Sequence, residues 1–439
     1  MRKMQIRLSV GKLLYWMLSL TVFVDFMNGL APNWMIGEIF RIVLLLLCVR
    51  IITRFSRRKT LICCGVICFL LLNSLLSALG HSQVSGLIYD LKMALKTCSY
   101  LFISLALILL YRKGRLRTEQ IDGILINNLL YTPILFLVSK VLNIGTSSYS
   151  SADAGFRAVF LSLNSINTAL IALYIFAFFR LMLSREKLKW GLATVYVVVP
   201  MVLLGTKTGL ILIVLVPLAF LLMNIERRRA WKMFLAFLMI ALIGLWAAWD
   251  YISKTLGGIL QRQQYLFQNR DLISYFFSGR NWMLELAAKE YTRSTGLIEW
   301  LFGAGYYNFH HKLSVLSNYA PADVRPIEMD WADLFTAYGI VGIVITYGHV
   351  IAILKKSWRF RKYKEVQPYL LITVVLLFFS MFAGHVFTEA ISSTFMAIAV
   401  CGMYVAADAQ SLNNQSLRAP APIEAKVCQS RTTRYEIQP

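Results

Sequence analysis

Apolar residues along this chain fall into separate runs, divided by short stretches that carry most of the charge. Each run is roughly 17–25 residues long, enough to cross ~30 Å of hydrocarbon at 1.5 Å per residue. In order they predict membrane spans at 13–30, 36–53, 61–79, 89–111, 121–143, 160–179, 190–206, 208–223, 232–249, 333–354, 368–386 and 388–407. The first run follows Arg2, Lys3, Arg7 and Lys12 and has the look of a secretory signal. It is too long for the apolar stretch of one and lacks a cleavage site, so it reads as a retained signal anchor.

Composition points the same way. Of the 439 residues 58% are hydrophobic and the mean hydropathy is +0.62, more than a soluble core absorbs. The expectation is an all-α, polytopic integral membrane protein of about twelve transmembrane helices with one large periplasmic loop. It divides into nine helices over 1–249, the loop over 250–332, three helices over 333–407 and a disordered cytoplasmic tail over 408–439. That tail is rich in Gln, Asn, Ser and Pro.

A net charge of +23 would suggest nucleic acid if the basic residues formed one patch. Instead, 31 of the 45 Lys and Arg lie at the N-terminus, in the tail and in alternate connections at 50–59, 112–117, 180–189, 227–232 and 355–364. That is the positive-inside pattern, which puts both termini and these connections in the cytoplasm and excludes a nucleic-acid partner. Cys48, Cys63, Cys64, Cys68, Cys98, Cys401 and Cys428 all sit in spans or tail. Disulfides and a cysteine metal site in the outer loop are therefore not expected, and the Cys63, Cys64 and Cys68 cluster reads as packing material.

The long connection from about Asp250 to Trp331 alternates to the outside. Trp282 and Leu286, and Glu285 and Lys289, stand at i,i+4 spacings that predict a helix. The apolar stretch Leu297 to Phe302 suits the membrane interface and is broken by Gly303-Ala304-Gly305. Eight basic residues between Lys254 and Arg325 are nearly matched by acids, so individual placement matters there and bulk charge does not.

No zinc-ligand spacing, P-loop or nucleophile elbow is present, and no cytoplasmic connection carries a DxD pair, which disfavours a nucleotide-sugar or ATP enzyme. What remains is a group at the outer ends of the spans: Arg157, Lys207, Arg280, Glu328, Asp330 and Asp333. A charge at membrane depth costs roughly 2.5–3.5 kcal/mol on insertion scales, so such residues have partners or ligands. Arg280, after Gly279 at a helix start, suits bidentate phosphate binding. The plainer alternatives are a structural ion pair for Arg280, an interfacial anchor for Arg157 and a snorkelling turn residue for Lys207. His310 and His311 are candidates for a base, although neighbouring histidines in a polar loop are usually inert. His385 and Glu389 stand i,i+4 at an outer end.

Three segments resemble the O-antigen polymerase and O-antigen ligase superfamily of bacterial membrane glycosyltransferases. One is Ser278-Gly279-Arg280-Asn281-Trp282 followed by Trp300-Leu301-Phe302-Gly303-Ala304-Gly305, similar to the family's Gly-Arg, Trp and Gly-x-Gly loop. The second runs from Glu328-Met329-Asp330-Trp331-Ala332-Asp333 to Tyr338-Gly339-Ile340-Val341-Gly342. The third joins Arg157, Asn164 and Asn167 to Thr206-Lys207-Thr208-Gly209. The likeness covers about Arg157 to Gly342. The family often has Arg where Lys207 stands, and the glycine and proline it places between Arg157 and Asn164 are missing.

The resemblance implies a C-type glycosyltransferase in the bacterial inner membrane, acting on the periplasmic side on undecaprenyl diphosphate-linked oligosaccharides, with no cofactor and no metal. Arg157, Lys207 and Arg280 would bind the diphosphate. In the ligases a histidine commonly stands eleven residues before the glycine equivalent to Gly339; here that position is Glu328. Glu328 and Asp330 are therefore the expected catalytic carboxylates, with His310, His311 and Asp333 accessory. The missing histidine favours a polymerase over a ligase that moves finished polymer to lipid A core or protein. Besides the bilayer, a chain-length regulator and a flippase are the partners implied. A flippase or transporter is the rival of another class; it would carry repeats and charges at mid-membrane depth, where this chain gathers them outside.

Overall fold

The computed structural model describes residues 9–81, 84–148, 155–226, 280–317, 326–382 and 384–416, with Val324 and scattered positions between 228 and 277. Every regular element among them is helical: Val10–Ser19 (α1), Thr21–Leu30 (α2), Ile36–Phe55 (α3), Arg57–His81 (α4), Val84–Arg112 (α5), Thr118–Val141 (α6), Leu163–Leu183 (α7), Lys187–Leu204 (α8), Lys207–Met223 (α9), Arg280–Ser294 (α10), Leu297–Phe302 (α11), Tyr306–Leu316 (α12), Asp330–Trp358 (α13), Gln367–Phe382 (α14) and Ala390–Ser416 (α15).

Seven of these are long and apolar enough to cross a membrane, eight if α1 and α2 count as one bent span. The protein is thus a polytopic membrane protein. The shorter α9 and α14 are also apolar, and α3 carries Glu38, Arg41, Arg50 and Arg54 in its length. Most of the ninth predicted span, 232–249, lies outside the described residues, as do the tail beyond Ser416 and most of the loop's first part.

The first predicted span, 13–30, is two helices meeting at 53°. Its cause is local. Asn128 Nδ2 on α6 donates to the Leu18 carbonyl at 3.1 Å and the Tyr131 hydroxyl to the Ser19 carbonyl at 2.5 Å, so outside donors enter the backbone ladder where α1 ends.

Three helices form the centre. The most apolar window of α15 is buried throughout, and those of α5 and α7 nearly so, so these helices face protein on all sides. In a bilayer, close backbone approach replaces the hydrophobic effect as the force between helices, and small residues permit it. A Cβ on Gly402 of α15 would sit 2.3 Å from the Tyr369 ring of α14. Cys63 is buried in this packing, but Cys64 and Cys68 are exposed on α4 and do not serve as filler.

At the end of the bundle where α7 meets α8, Asp122 of α6 accepts from the Tyr369 hydroxyl at 2.5 Å and pairs with Arg180 of α7, tying three helices together. Helices α10–α12 form a cap with its own core of Met283, Ala287, Tyr291, Phe309 and Leu313, packed against Ile327, Met329 and Ala332.

Candidate functional site

Two glycine segments dock the cap onto the span beneath it. Helix α13 is broken at Gly339 (φ 65°, ψ −162°), and the residues around this break are free to bond elsewhere. The N–H groups of Ala304 and Gly305 donate to the carbonyls of Thr336 and Ala337 at 2.9 and 3.1 Å. Gly303 (φ 85°) ends α11 at the same place. A Cβ there would lie 2.1 Å from the Ala337 oxygen, and one on Gly339 would lie 2.4 Å from the Leu301 carbonyl. The two motifs are thus halves of one junction, whose positive-φ backbone only glycine adopts without strain.

The junction sets the height of the short outer segment of α13 and of the residues leading into it. Arg280, the first residue of α10, meets Glu328 there: its Nε and Nη2 donate to one carboxylate oxygen at 3.0 and 2.8 Å. The Arg280 side chain is 18% exposed and that of Glu328 46%, so the pair opens to the outside. Glu328 has φ 66°, a left-handed conformation that costs a non-glycine residue about 1–3 kcal/mol and persists only when its surroundings impose it.

Two buried carboxylates on the first turn of α13 impose it. Asp330 accepts from the backbone N–H groups of Val386 and Phe387 at 2.5 and 2.9 Å and from the Thr388 hydroxyl at 2.8 Å, holding the α14–α15 connection. Asp333 accepts from the Ile327 N–H at 2.8 Å and meets His310 Nε2 at 2.7 Å. His310 Nδ1 donates to the Tyr306 carbonyl at 2.8 Å, and the ring stacks on Tyr306. Both neighbours of the imidazole are acceptors, so the Nε2–Asp333 contact needs a proton shared between ring and carboxyl. The second oxygen of Asp333 is buried without a partner. Asp330, Asp333 and His310 are all inaccessible to solvent, and as placed they orient the exposed pair. His311 stacks on Tyr307.

The other predicted cations lie at the same end. Arg157 Nε donates to the Thr146 hydroxyl at 2.7 Å. The neighbouring Phe156 N–H donates to the Leu203 carbonyl at 2.7 Å, bringing this loop beside the α8–α9 turn. Lys207 opens α9, which Thr206 caps by accepting from the Gly209 N–H at 3.2 Å. Asn167 secures the turn, accepting from Thr206 at 2.7 Å and donating to Thr208 at 3.1 Å. Asn164 approaches from α7: a Cβ on Gly384 would lie 3.5 Å from its Nδ2 and 3.1 Å from the backbone carbonyl oxygen of Glu328.

Sequence reasoning missed a second charged group. Asp25 of α2 pairs with Arg41 of α3 at 3.6 Å, and Lys96 of α5 with Glu389 at 3.5 Å. Glu389 thus pairs with Lys96, and His385 instead meets the Thr388 hydroxyl at 3.1 Å. The signal was available: Asp25, Arg41 and Lys96 are charges inside apolar runs, a mark of function by default. No cluster of three or more metal-ligating side chains converges among the described residues.

Residues 259–409, about a third of the chain, match the family model described as O-antigen ligase like membrane protein. The matched stretch contains the cap helices, the glycine junction, Arg280 and Glu328, and it ends in α15. No curated protein matches the chain.

Proposed function

We propose that this O-antigen ligase-like membrane protein is a glycosyltransferase working at the periplasmic ends of its spans in the bacterial inner membrane. In this reading it is a polysaccharide polymerase, joining oligosaccharide units carried on undecaprenyl diphosphate. The observation that carries the reading is the exposed Arg280–Glu328 pair, held by a buried scaffold in the region the family model matches.

The chemistry is one direct displacement. An acceptor hydroxyl attacks the anomeric carbon of the donor, the bond from that carbon to the phosphate oxygen breaks, and the electron pair leaves on the lipid diphosphate. Configuration inverts. Glu328 takes the hydroxyl proton, since an alcohol is a poor nucleophile without a base. Arg280 stabilises the leaving diphosphate with its planar set of donors, and Arg157 and Lys207 add positive charge at the same end. In the free site Glu328 neutralises Arg280; a diphosphate arriving there competes for the guanidinium and releases the carboxylate toward the acceptor.

Deleting the gene and resolving the surface polysaccharide by length tests the reading. Loss of the ladder with a single unit still attached to its final carrier is the polymerase result. The family description favours a ligase as the second reading, and its mark is long polymer accumulating on undecaprenyl diphosphate. A normal ladder overturns both. For the site, Arg280→Ala at normal abundance should abolish polymer and Arg280→Lys should reduce it severely, because Lys keeps charge but loses the fork.

A further inference from the structure

A cavity of about 260 Å3 lies at the opposite, cytoplasmic face, lined by Ser9, Val10, Gly11, Arg50, Ile51, Arg54, Phe55, Leu110 and Arg115. Three guanidinium groups from two places in the chain meet there. Arg50 and Arg54 stand i,i+4 on the last turns of α3, and Arg115 comes from the α5–α6 connection. The Phe55 ring gathers two of them, with the Arg54 and Arg115 guanidinium carbons 5.9 and 5.1 Å from its centroid.

Orientation in the membrane requires only that positive charge be abundant on this side. It does not require the charges to converge. Like charges at i,i+4 repel, and a third arginine around one cavity adds to that cost. Among the described residues no carboxylate lies within ion-pair distance of Arg50, Arg54 or Arg115. Nor do residues 1–8, which precede the cavity's first lining residue, contain an acid in their sequence. The arrangement gathers positive charge that no carboxylate of the described residues neutralises.

We infer that this cavity binds a phosphate group, and that its place at the cytoplasmic membrane face makes an anionic phospholipid the source. Guanidinium groups match phosphate oxygens with paired donors. The apolar side chains of Val10, Ile51 and Leu110 on its wall leave room for the first carbons of the acyl chains. The site stands apart from the outer machinery and shares with its reading only the orientation that the charge pattern gives.

Native mass spectrometry of the full chain in detergent, with phosphatidylglycerol, phosphatidylcholine or inorganic phosphate added, tests this. One phosphatidylglycerol should stay bound per chain and raise the melting temperature, with phosphatidylcholine held at least ten-fold more weakly and inorganic phosphate without effect. The double variant Arg54→Gln/Arg115→Gln should lose that lipid. The double variant Arg57→Gln/Arg58→Gln removes the same charge from exposed positions on the same face that do not line the cavity, and should keep it. Equal loss in both variants means that bulk charge alone holds the lipid and overturns the site. Protection by inorganic phosphate alone overturns the lipid assignment, and retention in Arg54→Gln/Arg115→Gln overturns the proposal entirely. Should either double variant fail to fold, the single variant Arg115→Gln takes its place: loss of the lipid supports the site, and its retention overturns it.

Discussion

At the scale of single residues, the outer site separates groups that touch the outside from groups that hold them. Glu328 is half exposed and strained, so its carboxylate and its backbone contribute oppositely. Glu328→Gln at matched abundance should lose polymer synthesis with little change in thermal stability. Glu328→Gly should lose synthesis as well, yet gain about 1 kcal/mol as the left-handed conformation ceases to cost anything. That gain is measured as a raised melting temperature. Asp333 and His310 should behave in the other way. His310→Ala strands a buried carboxylate without its proton-sharing partner, and a loss on the order of 3 kcal/mol is expected, seen as reduced protein in the membrane. Activity lost at unchanged abundance would make His310 a reacting group instead.

At the scale of elements, the glycine junction between α11 and the break in α13 holds the cap on the span beneath it. Gly303→Ala places a methyl group inside the Ala337 carbonyl, where backbone and not a flexible side chain must move. Detachment of the cap is the expected outcome, detectable as new protease cleavage in 280–317 with the spans intact. Within the cap, Lys312 of α12 pairs with Glu290 of α10, and this bond holds the Glu290 carboxyl below its usual range. A lowered carboxyl pKa contributes stability that is complete above the ordinary carboxylate range and lost as pH falls through the lowered value. The protection of α12 amides against hydrogen exchange, taken relative to the intrinsic rate at each pH, should therefore fall at acid pH in the native protein, and Glu290→Gln should show that reduced protection already at neutral pH.

For the whole molecule, the test is topology. The charge pattern assigns 50–59, 112–117, 180–189 and 355–364 to one face, and the structure gathers Arg157, Lys207, Arg280, Glu328 and Glu389 at helix ends of the other. Reporter fusions at Ser294 and Ser411 should give opposite locations, periplasmic and cytoplasmic. Both on one side would remove the basis for reading the Arg280–Glu328 end as periplasmic.

The sequence alone determined that the chain is helical and crosses a membrane many times, because hydrocarbon tolerates only backbone that satisfies its own hydrogen bonds, and that demand is written as run length and flanking charge. It also marked Arg280, Glu328 and the glycine motifs, since chemistry near an interface needs unusual residues at fixed spacings. Tertiary structure decided the rest. That Glu328 faces Arg280 across 48 positions, that Asp330 supports a loop more than fifty residues away, and that Gly303 and Gly339 are one junction depends on contacts between distant segments. The bend between α1 and α2 comes from donors on α6, and the Asp25–Arg41 and Lys96–Glu389 pairs join separate helices. No periodicity within one run records a partner in another, which is why the buried scaffold became visible only when the helices were packed.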